Sequence, residues 1–266
     1  MIHAQRTALY DTHFHILDHT FPLSENQGYA PPVFPAAAYL ERTRGLDVRG
    51  GTVVAASFQG FDTSFMYDAL ERLGPTFVGV IQVPPAVSDE EILKLDAAGV
   101  RAVRFNLFRG GSAGLDDLDR LARRVHEIAG WHAELYVDAA ALGQAADVIA
   151  RLPRASIDHL GMSPAGLPAL VKLAEQGVRV KATGFGRIDV DPLVAMSVLV
   201  AANPECLMFG SDLPSQRARR PFMPSDIDLV REAVGEKLAR KVLFDNAVAF
   251  YRPRVVPVLD EGGRAR

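Results

Sequence analysis

Two histidines stand two residues apart near the start of the chain, in the stretch LYDTHFH at positions 9–15. The apolar Leu9 and Tyr10 predict a short buried strand, and side chains two apart in a strand point to the same side. The imidazoles of His13 and His15 would therefore converge on one spot. Imidazole is the commonest metal ligand and exchanges a proton near neutral pH, so the pair suggests a polar functional site. The alternative is a pair of hydrogen-bonded surface histidines.

Two polar stretches further along the chain strengthen the functional interpretation. Asp158 and His159 end one apolar run, and Asp212 follows the apolar run that ends in FGS at 209–211. A carboxylate in such a position needs a buried partner. The three histidines can supply one, so we predict that they lie together with Asp212.

The elements that must position these residues alternate regularly. Short apolar runs predict strands, and the stretches between them predict helices. The predicted strands are the one that carries the histidine pair and those at 51–57, 77–83, 100–106, 132–137, 155–159, 178–182 and 207–210; the predicted helices lie at 36–46, 63–73, 89–98, 115–128, 142–152, 166–177, 192–202, 225–234 and 236–244. Eight such units are typical of a (β/α)8 TIM barrel, here a single domain over residues 1–266. An open doubly wound sheet is the alternative, and it is disfavoured because no glycine-rich phosphate loop follows the first strand.

Two segments fall outside this alternation. Residues 17–35 are polar and contain several prolines, so they cannot form regular structure. Loops this long in compact domains are usually functional, and we predict a lid over the histidine pair. Residues 254–266 are predicted to be a tail.

Barrel enzymes collect their catalytic residues at the carboxyl ends of the strands, and the polar residues of this chain fall there. These candidates are His13, His15, Ser57, Arg104, Asn106, Tyr136, His159, Arg187 and Asp212. Several have structural alternatives: Ser57 could cap a helix, Asn106 could close a turn, and Arg187 could be a surface cation. Tyr136 could be ordinary packing. Lys181 and Asp158 lie off the pocket-facing positions, and structural pairing is favoured for both.

Composition excludes several classes of function. A net charge of −3 over 266 residues argues against a nucleic-acid partner. The basic run RARR at 217–220 is interpreted as a solvated or anion-facing loop. The single cysteine, Cys206, excludes an internal disulfide and a cysteine metal cluster. No signal peptide or membrane-spanning run is present, so no membrane partner and a cytoplasmic location are expected.

At these residues the chain resembles the amidohydrolase superfamily, which carries HxH on its first strand, a histidine on the sixth and an aspartate on the eighth. Within it, the sequence is similar to the 2-pyrone-4,6-dicarboxylate hydrolase group and its sugar-lactonase relatives. The matching stretches are YDTHFH at 10–15, VRAVRFN at 100–106, WHAELY at 131–136, IDHLG at 157–161 and FGSDLP at 209–214. The resemblance implies a barrel hydrolase that opens a lactone.

The departures from the superfamily pattern concern metal binding. Tyr136 and Arg104 stand where metal-dependent members carry a histidine and a lysine. An arginine cannot ligate a cation and would repel one, so no tightly bound divalent metal is expected. The resembled hydrolase group works without such a metal. The group also uses several arginines to hold substrate carboxylates. Arg104 and Arg187 match two of these arginines. The position of a third is occupied by Gly110 in this chain, and Arg109 lies one residue away.

The resemblance and the residues together suggest hydrolysis of an anionic or hydroxylated small-molecule lactone. Asp212 would accept a proton from water, and the three histidines would stabilise the oxyanion as neutral donors or as imidazolium. Arg104 and Arg187 would hold a carboxylate, and Tyr136, Ser57 and Asn106 would bind the remaining oxygens. The alternatives are a hydrolase or decarboxylase with zinc on His13, His15, His159 and Asp212, a lactone isomerase, and a noncatalytic barrel that binds acidic metabolites. A homo-oligomer is left open.

Overall fold

Eight parallel strands form one sheet in which each strand pairs with its neighbours in sequence order. The computed structural model describes residues 7–258. The strands are β1 (Ala8–Phe14), β2 (Asp47–Val54), β3 (Phe77–Ile81), β4 (Val100–Asn106), β5 (His132–Tyr136), β6 (Ala155–Ile157), β7 (Arg179–Ala182) and β8 (Leu207–Phe209). All eight predicted strands are present, so the predicted TIM barrel is confirmed and the open doubly wound sheet is excluded.

A helix or helical turn follows each strand along the chain. The helices are α1 (Ala36–Thr43), α2 (Ser64–Leu73), α3 (Asp89–Ala98), α4 (Leu118–Ala129), α5 (Ala145–Ala150), α6 (Leu167–Glu175), α7 (Pro192–Ala202), α8 (Ser225–Val234), α9 (Glu236–Arg240) and α10 (Asn246–Tyr251). The predicted helix at 236–244 ends too early: α9 continues through a π-helical turn at Lys241–Asp245 into α10, which was not predicted. Among the described residues, no helix has the length and apolar character needed to cross a membrane.

Local signals explain where these helices begin and end. The side chain of Ser88 accepts a hydrogen bond from the backbone N–H of Glu91 and so caps the start of α3. The helix ends at Gly99, whose φ of 114° suits glycine and few other residues. The carboxylate of Asp191 caps α7 in the same way as Ser88 caps α3. Short polar residues therefore mark where these two helices begin.

The barrel closes between β1 and β8 through residues of the candidate site. The backbone N–H of Asp212 donates to the carbonyl of His13 at 2.7 Å, and that of His15 donates to the carbonyl of Leu213 at 2.8 Å. Phe14 and Leu213 form an isolated parallel bridge at the same place. The contacts that close the barrel therefore also position the backbones of His13 and Asp212.

The segment 17–35 follows β1 and folds back on itself before α1 begins. Leu17 and Phe34 pair as an antiparallel bridge at its neck. Its Tyr29 ring stacks on Phe58, which follows β2, with centroids 6.0 Å apart. The segment thus lies against the loops at the carboxyl ends of the strands, while its role as a lid stays a prediction. Of the predicted tail, residues 254–258 contain no helix or strand, and 259–266 lie outside the described residues.

Candidate active site

A small cavity that opens to solvent lies at the carboxyl ends of the strands. Seven of the nine predicted site residues line it, and they share the cavity with arginines and apolar groups from neighbouring loops. The lining residues are His15, Ala56, Ser57, Phe58, Arg104, Asn106, Arg109, Tyr136, His159, Arg187, Gln216 and Arg217. The other two predicted residues, His13 and Asp212, are buried directly against this set. The structure therefore brings all nine predicted residues to one place.

Asp212 is buried and has one carboxylate oxygen bound and one free. Its Oδ2 accepts from Nε of Arg187 at 2.7 Å and lies 2.6 Å from Nη2 of the same guanidinium. Its Oδ1 has no hydrogen-bond partner within residues 7–258, and it lies 3.9 Å from Nε2 of His13 and 3.8 Å from Nε2 of His15. Burial raises the pKa of Asp212 to about 6, and Arg187 opposes this effect. Asp212 is thus an ionised acceptor at neutral pH with one oxygen available.

A buried network holds the loop that carries Asp212. The carboxylate of Asp11 accepts from the backbone N–H of Ser211 at 2.8 Å and from its hydroxyl at 2.6 Å. The hydroxyl of Tyr39 donates to the same carboxylate at 3.1 Å. Asp212 itself has a φ of 60°, a left-handed conformation that is unusual for a residue other than glycine. The network on either side of the barrel seam stabilises this conformation, which points the Asp212 carboxylate at the histidines.

The three histidines are neutral. Burial lowers the pKa of His13, His15 and His159 well below the usual value, so the imidazolium alternative for the oxyanion is disfavoured. Nδ1 of His15 lies 2.7 Å from the carbonyl of Val54. Because a carbonyl can only accept, Nδ1 of His15 carries the proton and Nε2 presents a lone pair toward Asp212.

Two buried ion pairs lie beneath His13. Nζ of Lys181 is 2.6 Å from Oε2 of Glu134, and Nη2 of Arg104 donates to Oδ2 of Asp158 at 2.9 Å. Nδ1 of His13 lies 3.2 Å from Nζ of Lys181 and 3.4 Å from Oδ1 of Asp158. Lys181 and Asp158 are thus paired as the sequence indicated, yet both also contact His13.

Glu134 is a functional-site neighbour that the sequence analysis missed. Burial raises its pKa to about 7, against the attraction of Lys181. Its signal was available: His132, Glu134 and Tyr136 alternate along β5, so all three point into the barrel, where an isolated carboxylate would be costly.

The two arginines that were predicted to bind substrate are engaged within the protein. Nη1 of Arg104 donates to the carbonyl of Ala55 at 2.7 Å, in addition to its pair with Asp158. Arg187 binds Asp212 and also donates to the carbonyl of Gln216 at 2.9 Å. Both guanidiniums border the cavity, but each shares its positive charge with a buried carboxylate.

The remaining predicted substrate contacts border the cavity in different ways. Ser57 does not cap α2, which begins after Thr63 without any side-chain cap. Asn106 does close a turn, because its Oδ1 accepts from the backbone N–H of Arg109 at 2.9 Å. Tyr136 is buried with its ring 4.8 Å from that of His159, and its hydroxyl has no hydrogen-bond partner within the described chain. Ser57 and the Tyr136 hydroxyl are therefore available to a ligand.

Two groups of side chains have the ligand types of a metal site. They differ in how far their ligand atoms are already held by neighbouring cations. One ligand atom from each of His13, His159 and Asp212 lies within 4.8 Å of the others, and the same holds for His13, Glu134 and Asp158. In the second group, each carboxylate is bound through one oxygen to Lys181 or Arg104, and its other oxygen lies within 4.0 Å of one of these two cations. In the first group, Nε2 of His13 and Oδ1 of Asp212 are buried without hydrogen bonds among the described residues, so these donors fit a divalent cation.

A parallel barrel that gathers three histidines and an aspartate at the carboxyl ends of its first, sixth and last strands has the arrangement of an amidohydrolase-type enzyme. A family model described as amidohydrolase matches residues 10–252. The chain therefore belongs to the amidohydrolase family.

Three similar proteins show which members of the family this chain resembles. The chain is 32% identical to a 4-sulfomuconolactone hydrolase from Rhizobium radiobacter, over 91% of this chain and 89% of that protein. It is 27% identical to a 2-pyrone-4,6-dicarboxylate hydrolase from Comamonas testosteroni, over 92% of this chain and 90% of that protein. A solved structure of a putative 2-pyrone-4,6-dicarboxylic acid hydrolase from Pseudomonas putida superposes with a TM-score of 0.79 at 26% identity, covering 93% of this chain and 98% of that one. Both named enzymes hydrolyse lactones.

Proposed function

We propose that this chain hydrolyses the ring ester of an anionic lactone, with Asp212 as the general base. One observation carries the proposal: Oδ1 of Asp212 is buried, free of hydrogen bonds among the described residues, and next to two imidazoles beside an arginine-lined cavity. A carboxylate with a pKa of about 6 is ionised at neutral pH and can still accept a proton. The names of the relatives supply the substrate class, a lactone with acidic substituents.

The histidines take different roles in this proposal. Nε2 of His15 presents a lone pair, so it accepts a hydrogen bond from the attacking water together with Oδ1 of Asp212. The carboxylate takes the water proton as the oxygen attacks the lactone carbonyl. His159 lines the cavity and donates to the carbonyl oxygen as negative charge develops there. Collapse of the tetrahedral intermediate breaks the ring C–O bond, and the proton held by Asp212 passes to the departing ring oxygen.

The arginines next to the carboxylates set the electrostatics of these steps. Arg187 holds Asp212 in place and favours its ionised form, which keeps the base active near neutral pH. Burial acts to raise the pKa of Asp158, but contact with His13 and the charges of Lys181 and Arg104 outweigh it and lower that pKa, so Asp158 is ionised beneath His13. Tyr136, Ser57 and Asn106 bind polar groups of the ring.

A second candidate is metal-assisted hydrolysis of the same ester. It is supported by the grouping of His13, His159 and Asp212, which would hold the ion. When bound, a divalent cation would polarise the carbonyl and activate water. We favour the metal-free route because Arg187 already neutralises Asp212. The cytoplasmic location and the oligomeric state stay predictions from the sequence.

The experiment that tests the proposal replaces Asp212 by asparagine, which keeps the shape and removes the base. We expect kcat for lactone opening to fall by about 100- to 10,000-fold, the usual contribution of a positioned general base. The matched control is Asp189→Asn, because Asp189 is exposed and pairs only with Arg219 among the described side chains. Near-normal turnover by D212N would refute the role of Asp212.

A further inference from the structure

Helix α7 has an exposed side that is apolar. Its sequence, PLVAMSVLVAA, contains no charged residue, whereas the helices that pack on either side of it, α6 and α8, both carry charges. Val194 and Val198 lie one turn apart on α7 and expose 52% and 38% of their surface. The hydroxyl of Ser197 is used within the fold, because it donates to the carbonyl of Ala233 at 2.9 Å. A surface helix without a polar side indicates a surface that a partner covers.

A shallow apolar groove between α6 and α7 extends this exposed side. Its lining consists of Pro164, Leu167, Pro168, Val171, Lys172, Glu175 and Val198. We call these residues, together with Val194, the α6–α7 face. None of them lines the active-site cavity, so the proposed mechanism does not account for the face.

The charges on the α6–α7 face indicate what it can bind. Lys172 and Glu175 are both exposed, and neither forms an ion pair with any residue of 7–258. On α4, by contrast, the exposed charges of Arg123 and Asp119 pair at 2.9 Å. Two unpaired charges of opposite sign on one helix are complementary to the same two charges turned by a two-fold axis. A uniformly acidic or basic partner would be attracted by one of them and repelled by the other.

We propose that the α6–α7 face is the contact between two copies of this chain in a two-fold symmetric dimer. Val194 and Val198 form its apolar centre, and Lys172 of each copy pairs with Glu175 of the other. The contact lies on the outer side of the barrel, so it adds no residue to the active site and does not depend on the proposed function. A contact built from two helices is small, and we expect a dissociation constant in the micromolar range.

Sedimentation velocity of the full chain between about 1 and 200 μM measures this equilibrium. We expect the wild type to change from monomer to dimer with concentration. Val198→Arg places a charge in the apolar centre and should weaken the dimer by at least about 100-fold, because the charge loses its hydration without gaining a partner. The matched control is Leu93→Arg on α3, since Leu93 is an apolar side chain with a similar exposure of 53% outside the face. This control should dimerise like the wild type.

Charge reversal at the rim tests the symmetry of the contact. Lys172→Glu and Glu175→Lys each place like charges opposite one another at two places in the dimer, so each variant alone should dimerise about 10- to 100-fold more weakly. An equimolar mixture of K172E and E175K should recover the wild-type affinity, because the acidic pair of one copy then faces the basic pair of the other. Recovery on mixing also shows that both variants are folded.

Three results would overturn the proposal. The first is a wild type that stays monomeric at about 200 μM, which would leave the face free for a partner other than a second copy. The second is a V198R variant that dimerises like the wild type, since the dimer would then use another surface. The third is a mixture of K172E and E175K that associates no more tightly than either variant alone.

Discussion

Replacing Arg187 by glutamine should move the acid limb of the pH–rate profile upward. Two nitrogens of Arg187 lie within 2.7 Å of Oδ2 of Asp212, and this contact opposes the effect of burial on the pKa of the carboxyl group. Loss of an opposite charge at this distance raises a carboxyl pKa by about 1–3. Because kcat/KM requires ionised Asp212, the activity that rises through pH 6 in the wild type should rise at a correspondingly higher pH in the variant.

The size of the effect follows from the protonation equilibrium. With a pKa of about 6, about nine in ten Asp212 side chains are ionised at pH 7. An upward shift of about 2 would leave about one in ten ionised, so kcat/KM at pH 7 should fall by roughly tenfold from protonation alone. This part of the loss should be recovered at alkaline pH, where Asp212 ionises in the variant too.

The assay measures initial rates of lactone opening between pH 5 and 9.5, with the spontaneous rate subtracted at each pH. Arg219→Gln is the control, since it removes an exposed charge from the loop after β8 and should leave the acid limb in place. An R187Q profile that is lower at every pH but keeps the wild-type limb would refute the reasoning, because the titrating base would then not be Asp212.

Two further predictions concern the buried charges and the metal. Lys181→Met leaves Glu134 buried without its cation, so the free energy of unfolding in urea should fall by about 3–5 kcal/mol at pH 8. The loss should be smaller at pH 6, because burial raises the pKa of Glu134 to about 7 and the neutral acid is the favoured buried form; Glu134→Gln in the same background should restore stability. Dialysis against a chelator should leave kcat/KM unchanged, with substoichiometric metal by elemental analysis; loss of activity that zinc restores would favour the second candidate function.

The sequence predicted the strands and the central residues because both depend on local pattern. Apolar runs that end in polar residues mark the strand ends, and a parallel barrel brings those ends together whatever the loops do. His13, His159 and Asp212 therefore meet as expected. The contacts of Arg109 and Arg217 with Gln27 were not predicted, because Gln27 is 82 positions from Arg109 and 190 from Arg217 in the sequence.

The hydrogen-bond and ion-pair partners of individual side chains could not be predicted from the sequence either. Nothing in the spacing shows that Arg104 binds Asp158 or that Arg187 binds Asp212. The first pair crosses the barrel from β4 to the end of β6, and the second joins the loops after β7 and β8. The proton position on His15 likewise depends on the carbonyl of Val54, 39 residues away. These contacts place Arg104 and Arg187 beside buried carboxylates, and their binding of a substrate carboxylate stays a prediction.

The distribution of charged side chains around the cavity predicts how the proposed anionic lactone is oriented. At the inner end, the positive charges of Arg104 and Arg187 are balanced by Asp158 and Asp212, so this region offers dipoles and an acceptor but little net attraction for an anion. Arg109, in the loop after β4, and Arg217, in the loop after β8, also line the cavity, and neither pairs with a carboxylate of residues 7–258. We therefore expect an anionic substituent of the proposed lactone to lie on this side of the cavity, with the uncharged ester facing Asp212. A lactone whose anionic group lay beside its carbonyl would have to bring that charge against the Asp212 carboxylate, so the same layout selects against it.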